Sequence, residues 1–170
     1  MLNISNSLSI FRIILIIPMS FALLNENLIL AFFIAILAYT SDLLDGYLAR
    51  KLNQVTELGK ILDPLADKLL LASVVIILLI QSKIPFWFSS VLIGRDLLII
   101  LGGLIVKNKI KYVPSSNIIG KLTIDIIGVT LVGIVFQIPY FDIYGPIIST
   151  IFVFTSLIVY FINSLKTIKK

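Results

Sequence analysis

Apolar stretches of about twenty residues fill nearly all of this 170-residue sequence, separated by short polar breaks. A helix needs about 20 apolar residues to cross the hydrocarbon core of a bilayer. Within lipid, a helix also satisfies its own backbone hydrogen bonds. Hydrophobic residues make up 59% of the chain and charged residues 14%, against roughly a half and a quarter in soluble domains. The sequence therefore predicts an all-α, polytopic membrane protein.

We predict one membrane domain over residues 1–170, with six transmembrane helices. Polar or turn-forming residues mark the breaks, such as "NEN" at 25–27 and "QSKIP" at 81–85. The predicted helices cover 8–24, 28–50, 60–81, 85–106, 117–138 and 144–165.

Basic residues predict the orientation of these helices. If the N-terminus is cytoplasmic, Lys83 is the only basic residue assigned to the opposite side. Cytoplasmic loops of membrane proteins carry an excess of Lys and Arg, so both termini are expected in the cytoplasm. The basic residues on the cytoplasmic side are Arg50, Lys51, Lys60, Lys107, Lys109, Lys111, Lys121, Lys166, Lys169 and Lys170.

The composition also limits the chemistry. The chain has no cysteine and no histidine, which excludes disulfides, thiolate nucleophiles, imidazole bases and Cys/His zinc sites. A metal would need oxygen ligands, so magnesium, manganese or calcium is expected. The net charge of +5 is not gathered on a soluble face. We therefore expect no nucleic-acid partner, and interpret the basic residues as topology signals and phosphate ligands.

Four aspartates interrupt the apolar pattern in "SDLLDGYLARKLNQVTELGKILDPLADKLL", residues 41–70. On the second predicted helix, residues 42, 45, 46, 49 and 50 fall on one face. Gly46 and Ala49 have small side chains, so a ligand could approach the helix backbone on that face. Arg50 lies at the edge of the face. On the third helix, residues 59, 63 and 67 share a face at i, i+4 and i+8. If the two helices face each other, four carboxylates meet beside small residues.

Four neighbouring carboxylates repel unless they surround a cation or take up protons. A hard divalent ion, or a pair, is the simplest solution without histidine. Arg50 and the glycines suit a metal-bound diphosphate, whose oxygens arginine can grip. Two metals can stabilise a leaving phosphate, and one aspartate could accept a proton from an attacking hydroxyl. The alternatives are a structural hydrogen-bonding role and an ion or proton transporter, whereas apolar Leu43 and Leu44 exclude an EF-hand loop.

The same stretch resembles the signature of the CDP-alcohol phosphotransferase family, D-x-x-D-G-x-x-A-R-x8-G-x3-D-x3-D. All eight fixed positions are filled with the right gaps, and length and helix number agree. The resemblance implies an integral membrane enzyme, usually a homodimer, that uses magnesium or manganese. Its members transfer a phosphatidyl or similar group from a CDP-linked donor to an alcohol and release CMP. The matching residues are Asp42, Asp45, Gly46, Ala49, Arg50, Gly59, Asp63 and Asp67.

The resemblance also implies residue roles. Asp42, Asp45 and Asp63 are expected to bind metal, and Asp67 to act as general base and metal ligand. The nucleotide and diphosphate cradle is expected to contain Gly46, Ala49, Arg50 and Gly59, with a further hydroxyl from Thr56.

A second, weaker resemblance lies at the N-terminus, where "SNSLSIFR" (5–12) is similar to the P-N-x-L-T-x-x-R of many relatives. Asn6, Leu8 and Arg12 are kept, and Ser9 keeps the hydroxyl of the threonine. We expect Asn6 and Arg12 to contact the nucleotide. The alternative is an interfacial cap on the first helix.

The fourth and fifth helices supply candidate ligands for an acceptor phosphate. Arg95 lies about ten residues into its helix, a depth at which arginine needs a polar cavity or partner. Lys121 begins the next helix and could bind the same phosphate. The alternatives are a structural pair between Arg95 and Asp96, and headgroup contacts or an Asp125 pair for Lys121.

Within the family, we expect CDP-diacylglycerol to be the donor and glycerol 3-phosphate to be the acceptor. The active site is expected to face the cytoplasm. The enzyme is expected in the inner membrane if the source is bacterial. The "GRD" at 94–96 and "GKLT" at 120–123 are also similar to cardiolipin synthases, and inositol phosphate is a further possible acceptor. Outside the family, the alternatives are a polyprenyl transferase and a cation-coupled transporter.

Overall fold

The computed structural model describes residues 4–51, 59–110 and 118–168, and within these ranges the regular structure is entirely α-helical. The predicted all-α class and the six helices are confirmed, with boundaries that differ from the predicted ones by at most four residues. In chain order the helices are α1 (Ile4–Leu24), α2 (Leu28–Lys51), α3 (Gly59–Ile80), α4 (Phe86–Ile110), α5 (Ile118–Val135) and α6 (Phe141–Ile168).

Three of these helices are long and apolar enough to cross a membrane, judged over the described residues. A shorter apolar stretch, Leu28–Leu44, lies in α2. The polar part of α2 beyond Leu44 shortens its apolar run, and α4 is interrupted by Arg95 and Asp96. The three membrane-length stretches are Asn6–Leu24, Ile118–Val135 and Phe141–Asn163.

The chain forms two compact units, Met1–Gln81 and Ser82–Lys170. In the first unit, α1 packs against both α2 and α3. In the second, α6 packs against both α4 and α5. The single membrane domain over 1–170 stays a prediction.

The turn between α1 and α2 is built by backbone hydrogen bonds that close the end of α1. Asn27 N donates to Ala22 O at 2.9 Å and Glu26 N donates to Leu23 O at 3.1 Å. This is a Schellman motif with Glu26 in the left-handed conformation, φ 54°. The Asn27 side chain then accepts from Leu30 N at 3.0 Å and caps α2. The "NEN" break is thus a helix stop followed by a helix start.

Small and hydroxyl residues join α5 to α6 in the second unit. The Thr130 and Ser149 hydroxyls hydrogen-bond to each other at 2.9 Å, and both residues are buried. Thr123 Oγ1 donates to Phe152 O at 3.2 Å. Such contacts are typical of membrane helices, where apolar burial gives little attraction between helices.

Many large apolar side chains are exposed on the surface of the described helices. Ile17, Phe21, Ile29, Ile151 and Phe161 are all more than half exposed. Soluble proteins rarely present such continuous apolar surface. In a bilayer these side chains face hydrocarbon, which supports the prediction of an integral membrane protein.

Candidate functional site

Arg12 is the largest fully buried side chain among the described residues, with 1% of its surface exposed. Its Nη1 donates a hydrogen bond to Asp42 Oδ1 at 2.8 Å and another to Asp67 Oδ1. Its Nη2 lies 4.0 Å from Asp63 Oδ1. One guanidinium on α1 therefore contacts carboxylates of both α2 and α3. We call Arg12, Asp42, Asp63 and Asp67 the acid cluster.

Helical spacing explains how α3 supplies two members of this cluster. Asp63 and Asp67 are four residues apart, so their side chains lie on one face, one above the other. On α1, Ser9 and Arg12 are three residues apart and also share a face. The Ser9 hydroxyl donates to Asp63 Oδ1. The contact between α1 and α3 is thus polar where these faces meet.

The cluster is buried on its basic side and open on its acidic side. The side chains of Asp42, Asp63 and Asp67 are 48%, 37% and 53% exposed, although Arg12 beneath them is almost fully covered. Taken by themselves, these four described side chains carry three negative charges and one positive charge. The open face can therefore attract a cation or a hydrogen-bond donor from outside.

The oxygen chemistry of this cluster fits a hard divalent ion such as magnesium or manganese. Three carboxylates already gather around one positive group, the Arg12 guanidinium. Among the described residues, however, no group of three or more acidic side chains is arranged so that it could hold a metal ion. The side chain of Asp45, the fourth predicted ligand, lies outside the described residues.

The structure describes only some of the other predicted site residues of the first unit. Gly59 is buried and begins α3, and Asn6 is buried on α1. Thr56 lies outside the described residues. The backbone of α2 includes the remaining three predicted positions, but their side chains are likewise outside the described part; these are Gly46, Ala49 and Arg50.

Arg95 and Lys121 belong to the second unit. Arg95 is buried, with 7% exposed, and its Nη1 donates to Asp96 Oδ1 at 2.9 Å. Its Nε has no hydrogen-bond partner among the described residues. Lys121 is exposed on α5, and within the described residues no ion pair joins it to Asp125. The local Arg95–Asp96 pair is therefore present, but it leaves one donor of the buried guanidinium unused.

The contact between Arg12 and the aspartates was not predicted from the sequence, which pointed to metal as the neutralising cation. One signal could have indicated it. Arg12 lies inside the first apolar helix, and a charged residue at membrane depth needs an anionic partner. The aspartates of residues 41–70 are the nearest concentration of negative charge in the sequence.

Membrane-length apolar helices, together with a charged cluster where α1 meets α2 and α3, define an integral membrane protein with a polar site. The family model for CDP-alcohol phosphatidyltransferase matches residues 2–162. The chain therefore belongs to the CDP-alcohol phosphatidyltransferase family, and the resemblance of its aspartate motif is confirmed.

Two relatives match nearly the whole chain, and both are named CDP-diacylglycerol--glycerol-3-phosphate 3-phosphatidyltransferase. The protein of Aquifex aeolicus is 33% identical over 179 residues, covering 99% of each chain. That of Rickettsia typhi is 35% identical over 171 residues, covering 93% of each. A cardiolipin synthase (CMP-forming) of Streptomyces coelicolor is 35% identical over 91 residues, 54% of this chain and 42% of its own.

Proposed function

We propose that this chain is a phosphatidyltransferase that moves the phosphatidyl group of CDP-diacylglycerol to glycerol 3-phosphate and releases CMP. The observation that carries the proposal is the likeness, over nearly the full length, to proteins with that name. The open acidic face of the cluster supports it, because this chemistry concentrates negative charge that a cation must neutralise.

The proposed metal site uses carboxylate oxygens from two helices to hold magnesium or manganese, as two ions. When bound, such ions would neutralise the diphosphate and the leaving CMP. The proposed ligands are Asp42, Asp45, Asp63 and Asp67.

In the proposed reaction, the acceptor hydroxyl attacks the β-phosphorus of the donor. A phosphorus–oxygen bond to the acceptor forms, and the bond to the oxygen that leaves with CMP breaks. Asp67 accepts the hydroxyl proton as general base. Its side chain is 53% exposed, so an acceptor can approach it from the open side of the cluster.

The donor is proposed to lie along the small-residue face of α2 and the start of α3. Gly59, buried at the first position of α3, is the proposed small residue on the α3 side of this face. Arg50 would grip phosphate oxygens. The other proposed nucleotide and diphosphate contacts are Asn6, Gly46, Ala49 and Thr56. Arg12 was expected to join them, but its side chain is 1% exposed and its guanidinium contacts Asp42 and Asp67.

Arg95 and Lys121 are proposed ligands for the acceptor phosphate. The unused Nε donor of Arg95 supports this role, because a buried unsatisfied donor is costly and an anion would satisfy it. Arginine also matches the planar geometry of phosphate contacts.

We further propose six membrane crossings, cytoplasmic termini, an active site facing the cytoplasm and a homodimeric assembly. The enzyme would lie in the inner membrane if the source is bacterial. The positive-inside pattern of the basic residues supports the orientation.

The test is to incubate purified protein with CDP-diacylglycerol, magnesium and one acceptor at a time, and to identify the lipid by mass spectrometry. The acceptors are glycerol 3-phosphate, phosphatidylglycerol and inositol phosphate. The expected result is phosphatidylglycerol phosphate, with one CMP released per lipid formed. CMP release without transfer to any acceptor would overturn the proposal, as would ion flux in vesicles without CMP release.

Cardiolipin synthesis is the second candidate, because one relative named for it matches about half of this chain. Inositol phosphate as acceptor has no such support among these relatives. The same assay separates the three, since each acceptor gives a lipid of different mass.

A further inference from the structure

The Arg12 guanidinium binds carboxylates that are also proposed to hold metal. The same Nη1 donates to Oδ1 of Asp42 and to Oδ1 of Asp67. Both residues are proposed metal ligands. A metal ion held by these carboxylates would share them with the guanidinium or displace it.

Arg12 cannot make room for a cation by losing its charge. A guanidinium stays protonated in proteins. Nor is it free to turn towards water, since it is 1% exposed and held under the cluster. Its positive charge therefore opposes a second cation that approaches from the open side.

We infer that Arg12 is a built-in counter-ion of the acid cluster, which competes with divalent cations for the carboxylates and sets the metal affinity. It stabilises the metal-free protein, in which three carboxylates would otherwise face one another. It also makes metal binding weaker than the same carboxylates alone would give. The inference rests on the metal site of the proposed function and adds to it a regulator of affinity.

The size of the effect follows from the contacts that must be given up. A hydrogen bond to a charged group contributes an amount that corresponds to roughly ten- to a hundredfold in an equilibrium constant. Removing the guanidinium should therefore tighten metal binding by about that factor. The same change should destabilise the protein when no metal is present.

The experiment compares wild type with Arg12→Gln in detergent, without nucleotide or lipid substrate. Binding of Mn²⁺ is measured from the electron paramagnetic resonance signal of the free ion. Thermal unfolding is followed in chelator and again in Mn²⁺. We expect Arg12→Gln to unfold at a lower temperature in chelator, to bind Mn²⁺ about ten- to a hundredfold more tightly, and to gain more stability from Mn²⁺ than wild type does.

The matched control is Lys83→Gln, which removes one positive charge from the loop between α3 and α4. Its Mn²⁺ affinity should equal that of wild type. An equal gain in Lys83→Gln and Arg12→Gln would mean that net charge alone is responsible and would overturn the inference. Mn²⁺ binding by Arg12→Gln that is equal to or weaker than that of wild type would also overturn the inference.

Arg12→Lys keeps the test decisive if Arg12→Gln does not fold. Lysine keeps the charge but offers a single ammonium in place of the guanidinium fork. Its Mn²⁺ affinity should fall between those of wild type and Arg12→Gln, or simply exceed that of wild type if the Gln variant cannot be measured. Affinity at or below that of wild type would show that Arg12 supports the metal ligands and does not compete for them.

Failure of this inference can be distinguished from failure of the proposed function. If wild type binds no Mn²⁺, the proposed metal site and this inference both fail. If wild type binds Mn²⁺ and forms the phosphatidyl product, but Arg12→Gln does not bind more tightly, only the competition by Arg12 is overturned.

Discussion

At the scale of single residues, Asp67 combines a structural contact with a proposed chemical one. Its Oδ1 accepts a hydrogen bond from Arg12, and the side chain is half exposed. Asp67→Asn keeps an oxygen for Arg12 and the same shape, but the amide cannot take the acceptor proton. We expect turnover to fall by about 10²–10⁴-fold, the usual contribution of a general base. Turnover is measured as CMP release at saturating substrates.

Two comparisons separate the proton role of Asp67 from metal binding. Inhibition by CMP at fixed magnesium should change little in Asp67→Asn and much more in Asp42→Asn. Asp142→Asn, at the exposed start of α6, controls for the loss of a carboxylate elsewhere. If Asp67→Asn loses CMP binding as badly as Asp42→Asn, Asp67 is chiefly a metal ligand. Near-normal turnover would mean that the proton leaves to water.

The sequence predicted part of this site and missed another part for a physical reason. Asp63 and Asp67 could be placed on one face because helical spacing fixes neighbours within a helix. Arg12 lies 30 residues before Asp42 in the sequence and 55 before Asp67. Helical periodicity does not say which helices touch, so the cation beneath the carboxylates became apparent only from the packing of α1 against α2 and α3.

Arg95 allows a test of acceptor binding at the same scale. If its unused Nε donor binds acceptor phosphate, Arg95→Ala should raise the KM for glycerol 3-phosphate by at least about tenfold, because a charge-assisted hydrogen bond is lost. The KM for CDP-diacylglycerol should stay near its wild-type value. Asp96→Asn is the matched control, since it weakens the local pair but leaves the guanidinium in place. Equal losses for both substrates in Arg95→Ala would favour a structural Arg95–Asp96 pair.

At the scale of helices, the predicted breaks agree with the structure because the residues that stop helices act locally. The left-handed conformations of Glu26 and Gln137, both with φ 54°, follow the ends of α1 and α5. Glu26 lies in the break predicted at 25–27, and Gln137 lies one residue before the predicted helix end at 138. The start of α6 was predicted at 144 but is Phe141. Asp142 lies in the first turn of α6, where a negative charge is favourable beside the positive end of the helix dipole. The nearby Gly145 and Pro146 are typical of breaks between helices and therefore pointed to a later start.

The packing of α5 against α6 gives a prediction on stability. A Cβ at Gly145 would lie 2.6 Å from Thr130 Cγ2. Thr130 cannot turn away without breaking its hydrogen bond to Ser149. Gly145→Ala should therefore lower the free energy of unfolding by about 1–3 kcal/mol, the usual effect of overpacking. Thermal or denaturant unfolding in detergent would measure it.

Gly128→Ala on α5 is the matched control, because a Cβ there meets nothing within 4 Å. This variant should be neutral or more stable by up to about 1 kcal/mol, since alanine loses less backbone freedom in a helix. Equal destabilisation by both changes would contradict close packing at Gly145. It would indicate a general requirement for glycine in these helices.

At the scale of the whole molecule, the distribution of basic residues predicts which side of the membrane holds the acid cluster. Lys83 stands apart from the other loop lysines, which the predicted topology places together on the cytoplasmic side. The even number of proposed crossings returns the C-terminus to the side of the N-terminus. The loop after α3 should then face away from the cytoplasm, and the end of α4 should face it.

Single cysteines can test this orientation cleanly, because the native chain has none. A membrane-impermeant maleimide should label Lys83→Cys in intact cells. It should label Lys107→Cys only after the cells are permeabilised, because the cytoplasm is then accessible. The cysteine-free parent gives the background labelling, and only variants that keep phosphatidyltransferase activity are interpreted.

Labelling of Lys107→Cys from outside, with protection of Lys83→Cys, would show that the topology is the reverse of the predicted one. The acid cluster would then open away from the cytoplasm, which would overturn the proposed location of the active site.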